Sequence, residues 1–304
     1  MKLEREISGD GRFVRQANRF TDRIEPDGPY PPEPGRYRLY ASYACPWAHR
    51  GLIVRELLGL QDVIDLTIVD PIRDEKGWRF TLSPDDRDPA TGAAYLSELY
   101  LATDPAFDGR YTVPCVWDTT TRRLVTNDYF QITLTMETAF APWHAPGAPD
   151  LYPHARRAEI DEFNRWLFDG LNNGVYRAGF ATSQQAYEEA VTEVFATLDA
   201  LEKRLSDRRF VHGDQLTESD VRAYTTLARF DVVYHSHFKC AMRRLIDYPN
   251  LWAYARDLYQ RPAFRKTTHF DHIKRHYFIT QTTINPTRIV PIGPEPDWEA
   301  PHHR

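Results

Sequence analysis

The chain has 304 residues, 42% of them hydrophobic and 27% charged, with a formal net charge of −5, enough for one large or two ordinary globular domains. The acidic balance and the lack of a basic block exclude a nucleic-acid partner. Three cysteines exclude a disulfide framework and fit a reducing, cytoplasmic compartment, while the charged start Met1-Lys2-Leu3-Glu4-Arg5 is not expected to be a signal peptide and no apolar run reaches membrane-span length.

Residues 1–35 are polar and punctuated by Gly28-Pro29 and by Pro31, Pro32 and Pro34, which predicts an irregular extension on the surface. Tyr37, Leu39 and Ala41 alternate within Arg36–Ala41 and predict a strand. The chain then reads Ala-Ser-Tyr-Ala-Cys-Pro-Trp-Ala-His-Arg over 41–50, followed by a helix-like apolar run from Gly51 to Leu60. Pro46 suits the first helical position, so Cys45 is expected at a helix N-terminus. Unsatisfied N–H groups and the positive end of the helix dipole favour a thiolate there. His49 and Arg50 add positive charge within about one turn. A dithiol redox motif would need a cysteine at position 48, where Ala48 stands. Cys45 therefore reads as a monothiol, able to form a mixed disulfide that an external thiol must resolve.

Asp62–Asp70, with Val63, Ile64, Leu66, Ile68 and Val69, predicts a second strand parallel to the first. Residues 71–109 read as a long insertion carrying Gly77-Trp78, of the length usually reserved for function or a lid. Thr112–Asp118 predicts a strand with Pro114 near its start. Arg123–Val125 predicts another, and Asn127-Asp128 a turn and helix cap. This order, β-α-β-loop-β-β-α, is the thioredoxin-like order, in which the proline before the third strand is cis and faces the helix-start cysteine. Ala141–Tyr152, with Pro142, Pro146 and Pro149, reads as a linker. Beyond it the apolar period becomes helical, at Ile160, Phe163, Trp166 and Leu167 and again at Val191, Val194, Phe195, Leu198 and Leu201. Thr217 and Asp220 spell a capping box stapled by Leu216 and Val221. Pro249 opens a further helix through Tyr259, closed by Pro262. A basic-aromatic stretch, His272–Tyr277, leads into a proline-rich tail with no clear helix. His235 and His237 lack a cysteine pair at ligand spacing and there is no glycine-rich phosphate loop, so neither a metal nor a nucleotide is expected.

A thioredoxin-like half, a proline-marked linker and an all-helical half with a buried capping box resemble a cytosolic glutathione transferase. Narrower strings, Cys45-Pro46-Trp47-Ala48, Gly77-Trp78, Asn172–Tyr176, Arg229-Phe230-Asp231 to Tyr234, His237–Cys240, Ile273–Tyr277 and Ile284-Asn285-Pro286, are similar to the xi class, the glutathionyl-hydroquinone reductases. The resemblance implies a fold of an α/β thioredoxin-like N-terminal domain plus an all-α C-terminal domain. Its expected parts are the extension 1–35, a thiol-binding domain 36–140, a linker 141–152, a helical substrate domain 153–270 and a tail 271–304 packing back on the active site. It implies thiol-dependent removal of glutathione from glutathionyl-hydroquinones through a Cys45 mixed disulfide, with glutathione as cosubstrate, an aromatic thioether as substrate and a homodimer as the assembly. Tyr176, Tyr234 and Tyr277 match tyrosines facing the substrate ring, where a phenol can donate a proton. Trp78 matches a tryptophan over the thiol peptide, and Val113 a residue whose backbone pairs with it.

Two stretches depart from the family pattern. Asp128-Tyr129 replaces the usual Glu-Ser at the turn that holds the γ-glutamyl end, and Phe278-Ile279-Thr280-Gln281 replaces a tyrosine and a Ser-His pair. The bulk of Tyr129 makes another small thiol, such as mycothiol, an alternative to glutathione. General thiol transfer or dehalogenation on the same fold is a second reading. A non-catalytic transferase-like binding protein is a third, which a Cys45 pKa near the ordinary ~8.5 would favour.

Overall fold

The computed structural model describes residues 6–304; the charged start at 1–5 lies outside the described residues. Two compact units are present. Among the described residues, one is Gln16–Pro149, and the other joins residues 6–15 to Asp150–Arg304.

The first unit is a four-stranded sheet flanked by helices. Strand β1 (Tyr37–Ala41) pairs in parallel with β2 (Asp65–Ile68) and antiparallel with β3 (Cys115–Asp118), which pairs antiparallel with β4 (Arg123–Thr126). The strand order is β2-β1-β3-β4. The parallel pair requires a crossover, and helix α1 (Pro46–Leu57) supplies it. Its core residues Leu52, Ile53 and Val54 are buried, each worth about 2 kcal/mol against exposure. The apolar run to Leu60 predicted a longer helix. The helix ends at Leu57 because Gly59 takes φ +70 and turns the chain, and a Cβ there would lie 2.4 Å from that of Ala145. Helix α3 (Tyr129–Thr138) packs on α1.

The stretch 71–109 is more structured than its composition predicts. It contains α2 (Leu96–Thr103), which buries Leu96, Leu99, Tyr100 and Thr103 and packs on β4. The Glu98 carboxylate caps it by accepting from the backbone N–H groups of Tyr95 at 2.9 Å and Ala94 at 3.0 Å. The extension is also tied down. Phe20 exchanges hydrogen bonds with Asn127, its N–H to Oδ1 at 3.1 Å and its carbonyl from the Asn127 N–H at 3.0 Å.

The second unit is helical: α4 (Arg157–Leu167), α5 (Gly174–Gly179), α6 (Gln184–Arg204), α7 (Glu218–Arg229), α8 (Pro249–Tyr259), α9 (Pro262–Thr267) and α10 (Phe270–Thr280). Pro262 thus closes one helix and opens the next, and the basic-aromatic stretch His272–Tyr277 is itself helical. Two segments are π-turns, Phe168–Asn172 after α4 and Phe230–Tyr234 after α7. Every residue of α7 is buried, as expected of a helix surrounded by others. Its polar groups are correspondingly satisfied. Glu218 accepts from Arg222 Nε and from Asn164 Nδ2, both at 2.6 Å. His212 bridges Glu159 and Ser219 at 2.9 Å each, with Ser219 fully enclosed.

The capping box forms as predicted, with additional partners. The Asp220 carboxylate accepts from the Thr217 N–H at 2.8 Å, the Thr217 hydroxyl at 2.9 Å, the Val211 N–H at 2.9 Å and the Tyr254 hydroxyl at 2.8 Å. One buried acceptor therefore joins α7, α8 and the turn before them. Asp220→Ala leaves four enclosed donors without it and should lower stability by about 3 kcal/mol or more, read as a fall in urea midpoint. A change below ~1 kcal/mol would contradict this account.

Candidate active site

Cys45 is the residue immediately before α1, in extended conformation (φ −79, ψ 120), with Pro46 at the first helical position. No acidic residue stands in the first turn of α1 to oppose a thiolate. The Cys45 Sγ donates to the Val113 carbonyl at 3.3 Å, and the Val113–Pro114 peptide bond is cis. Sheet pairing explains the approach: β1 leads into Cys45, and its antiparallel neighbour β3 begins just after Pro114, at the Tyr40–Cys115 pair. The other two thiols lie fully in the core. Burial pushes the Cys115 thiol far up and the Cys240 thiol up to about 12. None of the three cysteines is disulfide-bonded.

The remaining predicted thiol-side residues belong to the same unit. Trp78 is buried, and the Arg73 guanidinium lies 5.0 Å from its ring centroid. Asp128 caps α3 by accepting from the Phe130 N–H at 3.1 Å, and it also accepts from Asn18 Nδ2 at 3.3 Å. Tyr129 opens α3. Its ring lies against that of Trp47, centroids 4.8 Å apart, and the Arg50 guanidinium sits 4.6 Å from Trp47. Tyr129 is therefore packed onto the segment that carries the thiol.

The three predicted tyrosines form a cluster in the second unit. Tyr176 comes from α5, Tyr234 ends the second π-turn and Tyr277 comes from α10. The Tyr277 hydroxyl is the hub, 2.5 Å from that of Tyr176 and 3.1 Å from that of Tyr234. All three side chains are buried. Burial holds the Tyr234 and Tyr277 phenols well above their usual pKa, as neutral donors.

Sequence reasoning left out several residues that shape this cluster. Phe238 stacks on Tyr234 with centroids 5.3 Å apart and 14° between the planes, and it meets Tyr176 edge-on at 5.2 Å. Gly179 admits this packing, since a Cβ there would lie 2.2 Å from Phe238 Cγ. Arg15 places its guanidinium 4.7 Å from the Tyr176 ring centroid. The only signal in the sequence was the length of the strings Asn172–Tyr176 and His237–Cys240, which gave no contact.

His237 packs on Phe278 at 4.7 Å, and its Nε2 lies 2.9 Å from Gln281 Oε1. Burial pulls its pKa down to about 4, below the ordinary ~6.5. The neutral ring is thus the folded form. Its stabilisation is whole above pH ~6.5 and is lost as pH falls toward 4, about 3 kcal/mol across that window. Thermal midpoints measured from about pH 7.5 to 4.5 should fall more steeply for the wild type than for His237→Gln. Equal slopes would remove His237 as the source.

A helix-start monothiol beside a cis-proline, on a thioredoxin-like sheet, with a helical second unit, defines the glutathione transferase architecture. Two family models match accordingly: the glutathione S-transferase N-terminal domain over residues 44–139 and the C-terminal domain over residues 184–257. Glutathionyl-hydroquinone reductase YqjG of Escherichia coli is 47% identical, across 98% of this chain and 93% of that protein. Its glutathione-bound structure superposes with a TM-score of 0.88, covering 97% of each chain. Glutathionyl-hydroquinone reductase PcpF of Sphingobium chlorophenolicum is 46% identical, over 94% of this chain and 91% of its own length. The glutathione-S-transferase Xi of Phanerochaete chrysosporium is 49% identical, with a TM-score of 0.90 and coverage of 94% and 98%. The chain belongs to the xi class of the glutathione transferase family.

Proposed function

We propose that this enzyme is a glutathionyl-hydroquinone reductase that works through a Cys45 mixed disulfide. The observation that carries the reading is the contrast among its thiols. Cys115 and Cys240 are enclosed and held protonated, whereas Cys45 stands at a helix start beside the Val113 carbonyl. Relatives 46% and 47% identical over nearly the whole chain carry that activity in their names.

The Cys45 thiolate attacks the glutathionyl sulfur, forming an S–S bond as the aryl C–S bond breaks. The electron pair of that bond stays on the ring carbon, which takes a proton from a phenol of the tyrosine cluster. Tyr176, Tyr234 and Tyr277 thus serve as the general acid, and solvent restores the proton. A second glutathione then attacks the mixed disulfide, releasing glutathione disulfide and the Cys45 thiolate. The balance is one aryl thioether and one thiol converted to one ring C–H and one disulfide, with Cys45 regenerated.

Val113, Trp78, Asp128 and Tyr129 are assigned to the tripeptide. The Val113 backbone pairs with it. The N-terminus of α3, which Asp128 caps and Tyr129 opens, attracts the γ-glutamyl carboxylate. The tyrosine at 129 keeps a second thiol, mycothiol, in view, because its ring occupies space beside Trp47. The family also implies a cytoplasmic homodimer. Among the described residues, no helix is long and apolar enough to cross a membrane.

The test is release of a model hydroquinone from its glutathionyl conjugate by the wild-type enzyme, with glutathione and then mycothiol as reductant. Glutathione-driven turnover is the expected result. Turnover with mycothiol alone would reassign the cosubstrate, and turnover with neither would overturn the reading.

A further inference from the structure

Burial keeps the Tyr234 and Tyr277 phenols neutral, yet protonating a ring carbon requires one member of the cluster to become an anion. Something must lower the cost of that charge. Arg15 is placed to do so. Its guanidinium carbon lies 4.7 Å from the centroid of the Tyr176 ring and 5.3 Å from that of Phe13. Its Nε donates to Asn173 Oδ1 at 2.8 Å, and Asn173 precedes α5, the helix that carries Tyr176. One short segment therefore fixes both the phenol and the cation over its face. Phe13 anchors that segment by packing on Phe180, centroids 5.3 Å apart.

The other groups facing the cluster divide the work. Arg229, fully buried at the end of α7, acts on Tyr234 and Tyr277 and favours their ionised forms. The rings of His237 and His276 lie 6.3 and 5.3 Å from that of Tyr277. Burial keeps His237 neutral. Arg15 is the cation on the Tyr176 side, and an arginine keeps its charge at any pH of interest. The Tyr277 hydroxyl, at 2.5 Å, is close enough to donate to a phenolate at Tyr176.

We infer that Arg15 is a positioning residue that makes Tyr176 the charge-bearing member of the cluster, stabilising its phenolate as the O–H proton passes to the substrate carbon. The inference deepens the reductase reading and rests on it for the identity of that carbon. Arg15 acts through Tyr176, so removing it weakens proton delivery without weakening substrate binding.

The experiment has two readouts. The first is the ultraviolet titration of phenolate in wild type, Arg15→Met, Arg15→Lys and Tyr176→Phe. The Tyr176-dependent ionisation should move up by about one pH unit or more in Arg15→Met, a tenfold change in acidity, and return toward wild type in Arg15→Lys. The second is kinetic. In Arg15→Met, kcat for hydroquinone release should fall about tenfold with KM unchanged, and Arg15→Met should add nothing in a Tyr176→Phe background. Cys45-dependent exchange with a simple disulfide, which protonates no carbon, should be unaffected. An unmoved titration, or equal loss of both reactions, would overturn the proposal. A wild type that releases no hydroquinone would overturn the reductase reading instead, and the titration would still decide the role of Arg15.

Discussion

Cys45→Ser is expected to lower the rate of hydroquinone release by at least about 10³-fold while leaving the fold intact. The hydroxyl has the same reach but is barely ionised at neutral pH, and it is a far weaker nucleophile toward sulfur. Serine is also a good residue to precede a helix, so α1 should keep or gain stability, which separates lost chemistry from lost structure. Cys115 and Cys240 cannot substitute, since both are enclosed and held as thiols. Mass spectrometry of enzyme mixed with the glutathionyl conjugate, before any free thiol is added, should find one added glutathionyl group on the peptide containing Cys45. Adduct on neither wild type nor variant, with turnover unchanged in Cys45→Ser, would sink the mixed-disulfide mechanism.

Tyr277→Phe should cost about 10²-fold in kcat, the lower part of the range for general acid catalysis. Its hydroxyl is the one that touches both others, so its loss breaks both bonds of the cluster, whereas Tyr234→Phe breaks only the 3.1 Å one. The ordering should therefore be Tyr277→Phe at least as severe as Tyr234→Phe. The double variant should cost no more than Tyr277→Phe alone, because residues acting as a unit are not additive. Stability should fall by only about 1 kcal/mol per lost hydrogen bond. Independent, multiplying effects would show that the tyrosines act separately.

The thiol half of the molecule was the more legible in sequence. Alternating apolar residues announced β1 and β2, and a proline after Cys45 announced the helix start, because these are local rules that the chain obeys regardless of its partners. The apolar spacing of α2, Leu96, Leu99, Tyr100 and Thr103, was present too, but the surrounding prolines, glycines and aspartates disguised the helix as loop. Arg15 lay inside a segment read as irregular, and nothing in its neighbours pointed to an aromatic ring so distant along the chain; only folding places it over Tyr176. The π-turns were invisible for another reason. Hydrophobic periodicity tolerates a single extra residue, so the helical pattern runs through Phe168–Asn172 and Phe230–Tyr234 without a break.

Those two turns have an implication for inheritance. A π-turn amounts to a helix that has accepted one inserted residue, visible here in the bonds from the Asn173 N–H to the Phe168 carbonyl and from the His235 N–H to the Phe230 carbonyl, both 2.8 Å. Tyr176 follows the first turn and Tyr234 ends the second. Each residue of a helix turns the chain by about 100°. Loss of a single codon in either turn would heal the helix into regular form and swing the downstream tyrosine away from its partners, with every tyrosine still encoded. A descendant could thus shed the phenol chemistry while keeping its thiol, through a deletion that a survey of conserved side chains would overlook.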